Sequence, residues 1–474
     1  MGMRQSVALC LGLVALGCSA SGPGPEAPAD GPSMASSVTS GEAASSGAPA
    51  AGSAASEAPG PTAGATDAGL NDGGSADLRD ARSSATDSPS AADAAGEHTG
   101  PLATFHDALR ELECGRRQQH VRIAWLGDSH AQADFWTGTL RSALQQRFGN
   151  GGPGFVHLGY RDYRHDGVRV AVHGRWYQRP KRPSTTERFE DGNLGLGGIL
   201  STGYADQPWA SLTMTDPEHR DRTLRWELCY KPSQADDSIR LQIDGSPRRV
   251  LSPSGKLGVL HHLALRARGQ ATLKVEPRQG RPFFCGVIIE TDPADAPGVV
   301  LDNLGINGAR YATGLAWNPV YWGAELARRN PELVVFEYGG NEASDFQFRP
   351  QAYKRHLLRL IERVRRVRPD VSCLVVGLAD RADVESRIVP IRDATREAAR
   401  EAKCTFWDTY EAMGGAGSME RWRELKKGAD DGIHLRPRGY QQLGADLHRD
   451  LLADFRSECP PPSAEGRLPT PVDR

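Results

Sequence analysis

A serine near residue 130 and a histidine–aspartate pair near the carboxyl terminus have types and positions suited to nucleophilic catalysis. Ser129 follows the apolar run 121–126 and precedes a helical pattern over 131–148. A serine between a strand and a helix lies at the carboxyl edge of a sheet, where open α/β sheets bind ligands. Its own backbone N–H can then face a developing oxyanion. Taken alone, Ser129 is more often explained as an N-cap residue that closes a turn.

Asp431 and His434 are three residues apart, just before a helix that Pro437 opens. This spacing lets one loop present both side chains to the same place. His434 can accept the Ser129 proton through one ring nitrogen while Asp431 holds the other nitrogen. Without the serine, the pair would be a surface aspartate and a loop histidine.

Two further stretches follow apolar runs and could supply oxyanion donors. Gly308 ends the stretch 303–308, and Asn341 lies within 339–342. The N–H groups of Ser129 and Gly308, together with the Asn341 amide, could form an oxyanion hole. A turn at the end of a strand is the simpler explanation of each stretch alone.

The elements that must position these residues alternate along the chain. Strands are expected at 121–126, 298–304, 333–338, 373–379 and 404–408, and helices at 131–148, 351–368 and from 437 toward 455. Strands separated by helices predict a parallel sheet covered on both faces. Residues 164–297 instead show short alternating strands with turn signals, which predict a β-sandwich insert.

Four stretches, which contain in chain order Ser129, Gly308, Asn341 and the pair Asp431 and His434, resemble the sequence blocks of the SGNH/GDSL hydrolase superfamily. The resemblance implies an α/β fold, a flavodoxin-like three-layer sandwich with a parallel sheet. It places Ser129, Asp431 and His434 in the catalytic triad, and Ser129, Gly308 and Asn341 in the oxyanion hole.

The stretch 127–134 and the run from Gly339 to Ala343 are similar to the versions found in peptidoglycan O-acetylesterases, which also carry a β-rich, carbohydrate-binding-like insert. Glu342 stands where the superfamily usually has Asp. It could orient the Asn341 loop or be a solvated side chain.

The function implied is that of a serine esterase that removes O-acetyl groups from a polysaccharide, with peptidoglycan as the first candidate. This chemistry needs no metal and no organic cofactor. An O-acetyltransferase with the same triad is the alternative. A non-catalytic glycan-binding lipoprotein is a further alternative, against which the intact triad argues.

His261 and His262 lack further ligands at metal-site spacing. The glycine-rich 149–154 lacks the Lys-Ser/Thr of a phosphate loop and is interpreted as a mobile loop beside the site.

The amino terminus resembles a bacterial lipoprotein signal. Arg4 precedes the short apolar run 7–16, and Ala15-Leu-Gly-Cys18 is similar to a lipobox, with Cys18 as the residue that would be lipidated. An ordinary secretory signal is the alternative. Residues 19–100 contain no Phe, Trp or Tyr, so they predict a disordered tether. We therefore expect an exported, membrane-anchored lipoprotein that faces the cell envelope.

Charge is unevenly distributed. The chain has a net charge of −2, but residues 19–100 hold 11 acidic and 2 basic residues, which leaves +6 from Pro101 onward. The overall balance gives no support for nucleic-acid binding. The expected segments are a 1–18 signal, a 19–100 tether, a 101–163 first part of the α/β domain, a 164–297 insert, a 298–459 second part and a 460–474 disordered tail.

Six cysteines follow Cys18, an even number that permits disulfides in an exported chain. Sequence alone leaves the connectivity open. Proximity of the predicted elements suggests the pairs 229–285, 373–404 and 114–459.

Overall fold

The computed structural model describes residues 100–459 except 162, 253–255 and 346. The predicted signal peptide with Cys18, the predicted tether up to residue 99 and the 460–474 tail lie outside these residues. No helix within the described range is long and apolar enough to cross a membrane.

Strands and helices alternate at both ends of the described range, and strands dominate its middle. The strands are β1 (Val121–Gly127), β2 (Gly154–Val156), β3 (Val168–Arg179), β4 (Leu200–Met214), β5 (Thr223–Lys231), β6 (Ser238–Ile243), β7 (Arg249–Leu251), β8 (His261–Arg268), β9 (Thr272–Gln279), β10 (Phe283–Thr291), β11 (Val299–Asn303), β12 (Leu333–Glu337), β13 (Ser372–Val376) and β14 (Thr405–Trp407). The helices are α1 (Ala103–Glu113), α2 (Ser129–Gln132), α3 (Trp136–Phe148), α4 (Tyr311–Ala316), α5 (Pro319–Arg329), α6 (Gly340–Ala343), α7 (Pro350–Arg365), α8 (Glu385–Glu401), α9 (Thr409–Met413), α10 (Ser418–Glu424) and α11 (Pro437–Leu451).

Five strands form a wholly parallel sheet in the order β11-β1-β12-β13-β14. Numbered along the chain within this sheet, the order is 2-1-3-4-5, which flavodoxin-like sheets also have. Its switch point lies between β1 and β12, where Gly127 is paired with Glu337. The sheet confirms the predicted α/β class.

Helices cover both faces of the parallel sheet. Successive residues of a strand point to opposite sides, so each strand has apolar side chains on both faces for the helices to bury. Ile123 and Trp125 belong to one apolar core, shared with α1, α3 and α11. Ala124 and Leu126 belong to the other, shared with α4, α7 and α8. The molecule therefore has an α/β/α arrangement around this sheet.

The helix predicted over 131–148 is two helices, α2 and α3. Asp134 between them has φ 54°, in the left-handed region that an aspartate adopts more readily than most residues. Its buried carboxylate accepts hydrogen bonds from Thr137 Oγ1 at 2.5 Å and from Arg141 Nη2 at 2.7 Å. Periodicity alone does not reveal this break, because the contacts that hold it come from the following helix.

The middle of the chain forms one antiparallel sheet rather than the two separate sheets of the predicted sandwich. Its order is β7-β6-β9-β4-β10-β5-β8, with β3 paired to β4 and β2 paired to β10. β4 pairs with β10 at Ser201 and with β9 at Ala210–Thr213, so this long strand joins the two halves of a curled sheet. β2 lies before residue 164, where the insert was expected to begin.

Both faces of the insert's central strands are covered. In β5, Trp226 and Leu228 are fully buried in the larger core, and the intervening Glu227 is also buried, where it contacts Arg328 of α5. One face therefore packs inside the curled sheet, and the other packs on the α/β domain.

Three disulfides link elements that are distant in sequence. They join Cys229 of β5 to Cys285 of β10, Cys373 of β13 to Cys404 before β14, and Cys114 after α1 to Cys459. These are the pairs that proximity suggested, and the third connects the two ends of the described chain.

Candidate active site

Ser129 is placed at the switch point by the tight turn that ends β1. Gly127 admits no side chain, because a Cβ there would lie 2.5 Å from Glu337 Oε2 and 2.7 Å from Ala131 Cβ. Asp128 then caps α2 by accepting the His130 N–H at 2.9 Å. Ser129 is the first residue of α2, beyond the carboxyl edge of the sheet.

The 428–435 loop before α11 brings Asp431 and His434 to this edge. Asp431 Oδ1 accepts the backbone N–H groups of Ile433 at 2.9 Å and His434 at 3.0 Å, which fixes the turn. Asp431 Oδ2 lies 2.7 Å from His434 Nδ1, and His434 Nε2 lies 2.8 Å from Ser129 Oγ. Because a carboxylate only accepts, Nδ1 carries the proton and Nε2 is left to accept from the serine hydroxyl.

The Asp431 carboxyl ionises more readily than an ordinary aspartate. Partial burial opposes the charge, but hydrogen bonds from the His434 ring and from the two backbone N–H groups outweigh it, so the pKa lies below its usual value. Its side chain is 42% exposed and that of His434 is 39% exposed. The pair is therefore open to a substrate from solvent.

A second histidine lies beside the first. His130 is buried, its ring is 5.3 Å from that of His434, and its Nδ1 lies 2.9 Å from the Tyr440 hydroxyl. Burial lowers the pKa of His130 to about 3, with smaller effects from His434 and Arg381. His130 is consequently neutral at physiological pH and adds no positive charge beside the His434 ring.

A hydrogen bond links the loop that carries Gly308 to the loop that carries Asn341. The Asn341 amide nitrogen donates to the carbonyl of Ala309 at 3.0 Å and to Asp128 Oδ2 at 3.3 Å. Both amide hydrogens are therefore engaged. By contrast, no acceptor for the N–H of Ser129 or of Gly308 is found among the described residues.

Gly308 has φ +76°, a conformation that L side chains rarely adopt. A Cβ there would also lie 3.2 Å from Ser184 Oγ of the insert. The free N–H of this position therefore depends on glycine for both its backbone angle and its space.

Three carboxyl groups are buried under these loops. Asp128 donates its backbone N–H to Glu337 Oε2 at 3.3 Å, and the two side chains are hydrogen-bonded to each other. Burial raises the pKa of Asp128 to about 6 and that of Glu337 well above its usual value. Since two adjacent buried carboxyls cannot both ionise easily, the pair holds a proton near neutral pH.

Glu342 is buried rather than solvated. Its Oε1 accepts the backbone N–H of Tyr311 at 3.1 Å, which joins residues 339–343, here called the asparagine loop, to the start of α4. Burial raises its pKa to about 8. Of the two roles considered for Glu342 from sequence, the orienting one fits this position.

Two arginines that the sequence argument did not identify hold the asparagine loop. Arg310 donates to the carbonyl of Asn341 at 2.9 Å and to Asp345 Oδ1 at 2.7 Å. Arg381 donates to the carbonyl of Gly340 and pairs with Asp383 at 2.7 Å. Both arginines follow strands of the parallel sheet, so their position after a strand end is the signal that could have found them.

Comparison with known proteins supports a hydrolase. A family model described as "GDSL-like Lipase/Acylhydrolase family" matches residues 288–442, a range that contains Gly308, Asn341, Asp431 and His434 but begins after Ser129. A solved structure described as "Peptidoglycan O-acetylesterase in action, 5 min" is 26% identical, and the alignment covers 77% of this chain and 98% of that one with a TM-score of 0.63. The chain is an SGNH-type hydrolase.

The match to the peptidoglycan O-acetylesterase covers more of this SGNH-type hydrolase than the α/β domain alone could supply, so it includes much of the insert. A lipase/acylhydrolase from Enterococcus faecalis is 19% identical over 34% of this chain and 80% of that one, with a TM-score of 0.28. A family two carbohydrate esterase from Clostridium thermocellum is 12% identical over 60% and 98%, with a TM-score of 0.27. No curated protein matches the sequence.

Proposed function

We propose that this SGNH-type hydrolase removes O-acetyl groups from a cell-wall or other polysaccharide, with O-acetylated peptidoglycan as the first candidate, by a Ser-His-Asp mechanism. The observation that carries the proposal is the continuous relay from Ser129 Oγ through His434 to Asp431, with bonds of 2.8 Å and 2.7 Å. The likeness to a peptidoglycan O-acetylesterase supports the choice of glycan.

In the first step, His434 Nε2 accepts the hydroxyl proton as Ser129 Oγ attacks the acetyl carbonyl. Asp431 stabilises the imidazolium that forms. Collapse of the tetrahedral intermediate expels the sugar oxygen, which receives the proton from His434. Water then attacks the acetyl-serine by the same sequence and releases acetate.

The oxyanion of each intermediate would be held by the free N–H groups of Ser129 and Gly308. One such donor contributes on the order of 3 kcal/mol to the transition state. Asn341 would be the third donor. Because its two hydrogens bind Ala309 and Asp128, it must release one of these bonds to reach the oxyanion.

The first test is Ser129→Ala. It should abolish hydrolysis of a small acetyl ester and leave the circular dichroism spectrum unchanged. Turnover retained by the folded variant would remove Ser129 from the proposed role.

The second test compares acetate release from O-acetylated peptidoglycan and O-acetylated xylan. Faster release from peptidoglycan is expected, and a preference for xylan would replace the proposed substrate. Addition of an acceptor glycan separates hydrolysis from transfer, because a transferase would move the acetyl group to the acceptor instead of releasing acetate.

We further propose that Cys18 is lipidated and that 19–100 tethers the hydrolase to the outer side of the cytoplasmic membrane. A flexible chain of that length averages on the order of 50 Å end to end, enough to reach a surrounding polymer. Mass spectrometry of the mature amino terminus tests this. An unmodified terminus at or beyond Cys18 would refute the anchor.

A further inference from the structure

The loop between β3 and β4, residues 180–199, extends from the insert to the proposed oxyanion hole. The carbonyl of Ser184 accepts a hydrogen bond from Thr313 Oγ1 of α4 at 2.9 Å. Ser184 Oγ lies next to Gly308, so close that a Cβ on the glycine would be 3.2 Å away. One wall of the site is therefore built by the insert.

The second half of this loop is fixed to the α/β domain. Asn318, which caps α5, donates its backbone N–H to Gly192 O at 3.0 Å and its side-chain amide to Asp191 O at 2.9 Å. Ser184 and residues 191–192 therefore anchor both halves of the loop to the α/β domain.

The acidic residues of the fixed half are neutralised. Glu190 pairs with Arg179 at 2.9 Å, and Asp191 pairs with Lys231 at 3.2 Å. These ion pairs stay within the insert and add no net charge beside the site.

The bases near Ser184 are not neutralised in this way. Lys181, Arg182 and Arg188 are exposed, and no carboxylate lies within ion-pair distance of any of them among the described residues. Glu187 is the acidic residue between them. The segment 181–188 therefore presents three positive charges against one negative charge.

Arg359 and Arg363 of α7 extend the same positive region, whereas Arg366 is paired with Glu362. The pKa of Arg363 lies below its usual value because of its burial and, beyond that, because of Arg359, Arg366 and Arg188. Like charges that repel one another at the edge of a site attract an anionic ligand from solution.

We propose that Lys181 and Arg182 form a subsite for a carboxylate group of the glycan that carries the acetyl ester, so that the insert selects an acidic glycan. The inference rests on the proposed deacetylation. Lys181 is three residues from Ser184, which places it within about 10 Å of the Gly308 wall. A negatively charged group on a sugar unit next to the esterified one could then bind these two side chains while the ester lies at Ser129.

The test uses two forms of one polymer: O-acetylated peptidoglycan, and the same material after carbodiimide-promoted amidation of its carboxylates. The wild-type chain should deacetylate the native polymer with the higher kcat/KM, by about tenfold, through a lower KM. This preference should decline as salt is raised to about 0.5 M, because screening weakens exposed charges. In K181A/R182A the ratio of the two kcat/KM values should fall toward one.

R248A/R249A is the matched control. It removes the same charge from another part of the insert, at β7. β7 connects through β6 and β9 to Ala210–Thr213, one end of β4, whereas the 180–199 loop joins the other end of β4 at Leu200. The control should keep the wild-type ratio. An equal fall in the control, or an undiminished ratio in K181A/R182A, would overturn the subsite.

Failure of the underlying function has a different signature. The acidic-glycan subsite is refuted if the wild-type chain hydrolyses 4-nitrophenyl acetate but prefers the amidated polymer. It is also refuted if the chain hydrolyses 4-nitrophenyl acetate but releases acetate from neither polymer. A wild-type chain that hydrolyses no acetyl ester refutes the proposed deacetylation itself.

Discussion

The carboxyl groups buried between the insert and the α/β domain have arginine partners, whereas those buried under the asparagine loop have none. Glu290 of β10 pairs with Arg329 at 2.6 Å and with Arg122 at 3.1 Å, and Asp302 of β11 pairs with Arg329 at 2.8 Å. Burial opposes the charge of Glu290, but Arg329 and Arg122 outweigh it, so its pKa lies below the usual value.

Asp128, Glu337 and Glu342 show the opposite pattern. They accept hydrogen bonds from neutral groups, and no lysine or arginine of the described residues lies within ion-pair distance of them. Burial therefore dominates and raises the pKa of all three.

The difference separates two uses of a buried acid. An acid with an arginine partner joins two parts of the fold and keeps its charge at every physiological pH. An acid without one has a raised pKa and stays protonated to higher pH than usual, which changes the hydrogen bonds it can accept, a property that clusters at functional sites. Here the second kind lies directly under the proposed catalytic loops.

The largest effect is expected from Arg329→Met. The substitution leaves Asp302 buried with no cation and Glu290 with one partner fewer, so stability should fall by about 3–5 kcal/mol. Denaturant unfolding measures this. Arg366→Met, at an exposed pair with Glu362 of α7, is the control and should cost less than about 1 kcal/mol. Equal losses of stability in Arg329→Met and Arg366→Met would show that the buried ion pairs stabilise the fold no more than the exposed pair does.

Two variants test the effect on catalysis, and the first is a change of Asp128. Asp128→Asn keeps the shape of the side chain but weakens the acceptor that binds the Asn341 amide and the His130 N–H. We expect kcat to fall about 100-fold with little change in KM, since misplaced groups lose that much. The unfolding midpoint should not fall, because an acid that lacks a cation is removed.

Asp134→Asn is the contrasting variant. Asp134 is equally buried but pairs with Arg141 at 2.7 Å, so its neutral form should destabilise the chain. A loss of stability in Asp128→Asn as large as that in Asp134→Asn would contradict the distinction between the two kinds of acid.

Asn341→Ala tests the neighbouring donor. Its amide is proposed to meet charge that exists only in the transition state, so kcat should fall roughly 100- to 1,000-fold with little change in KM. Near-normal kcat in Asn341→Ala, together with a loss in Glu342→Ala, would show that the oxyanion hole is assigned to the wrong residue.

The residues of the candidate relay were within reach of sequence analysis because each lies in a short local pattern. Ser129 follows a strand, and Asp431 and His434 share a turn. Asp128 and Glu337 could not be found in this way, since their behaviour comes from burial against each other across β1 and β12. Local patterns identify groups, whereas non-local packing sets their protonation.

The same limit applies to the fold. The five parallel strands were predicted from apolar runs, but the glycine-rich 149–154 was wrongly expected to be mobile. Residues 150–154 are buried, and a Cβ at Gly152 would lie 2.7 Å from Ile289 O. The glycines permit close packing between the two sheets, a role that composition cannot distinguish from flexibility.

Glu342→Gln tests the unpaired group by its pH dependence. The native pKa of Glu342 is about 8 against an ordinary 4.5, so the folded state binds the proton more tightly. The contribution of Glu342 to the free energy of unfolding is fully present below pH 4.5 and is lost as pH rises through 8. Between pH 5 and pH 8.5, the free energy of unfolding should therefore fall by at least about 1 kcal/mol more in the wild-type chain than in Glu342→Gln.

Glu227→Gln should show the opposite slope. Burial opposes its charge, but His262, Arg328 and Arg225 hold its pKa at about 2. The stability contribution of Glu227 is present above pH 4.5 and lost as pH falls through 2. Parallel slopes in the two variants would remove the contrast between paired and unpaired acids.

The smallest effect is expected from His262→Gln at the junction of the insert with α5. His262 Nε2 lies 3.0 Å from Glu325 Oε1, and its Nδ1 lies 3.5 Å from Glu227 Oε1. Burial lowers the pKa of His262, but these two acids outweigh it and raise the pKa above its usual value. The added stability is therefore complete below pH 6.5 and is lost as pH rises through the raised pKa.

The difference between wild type and His262→Gln should be below about 1 kcal/mol, because Arg328 contacts the same two acids when the histidine is neutral. Unfolding at pH 5.5 and pH 8.5 measures it. His261→Gln is the control, since His261 stacks on Tyr230 at 5.3 Å and forms no ion pair among the described residues. If His262→Gln destabilised the chain equally at both pH values, His262 would act through packing rather than through its charge. Arg328 alone would then balance the charges of Glu227 and Glu325.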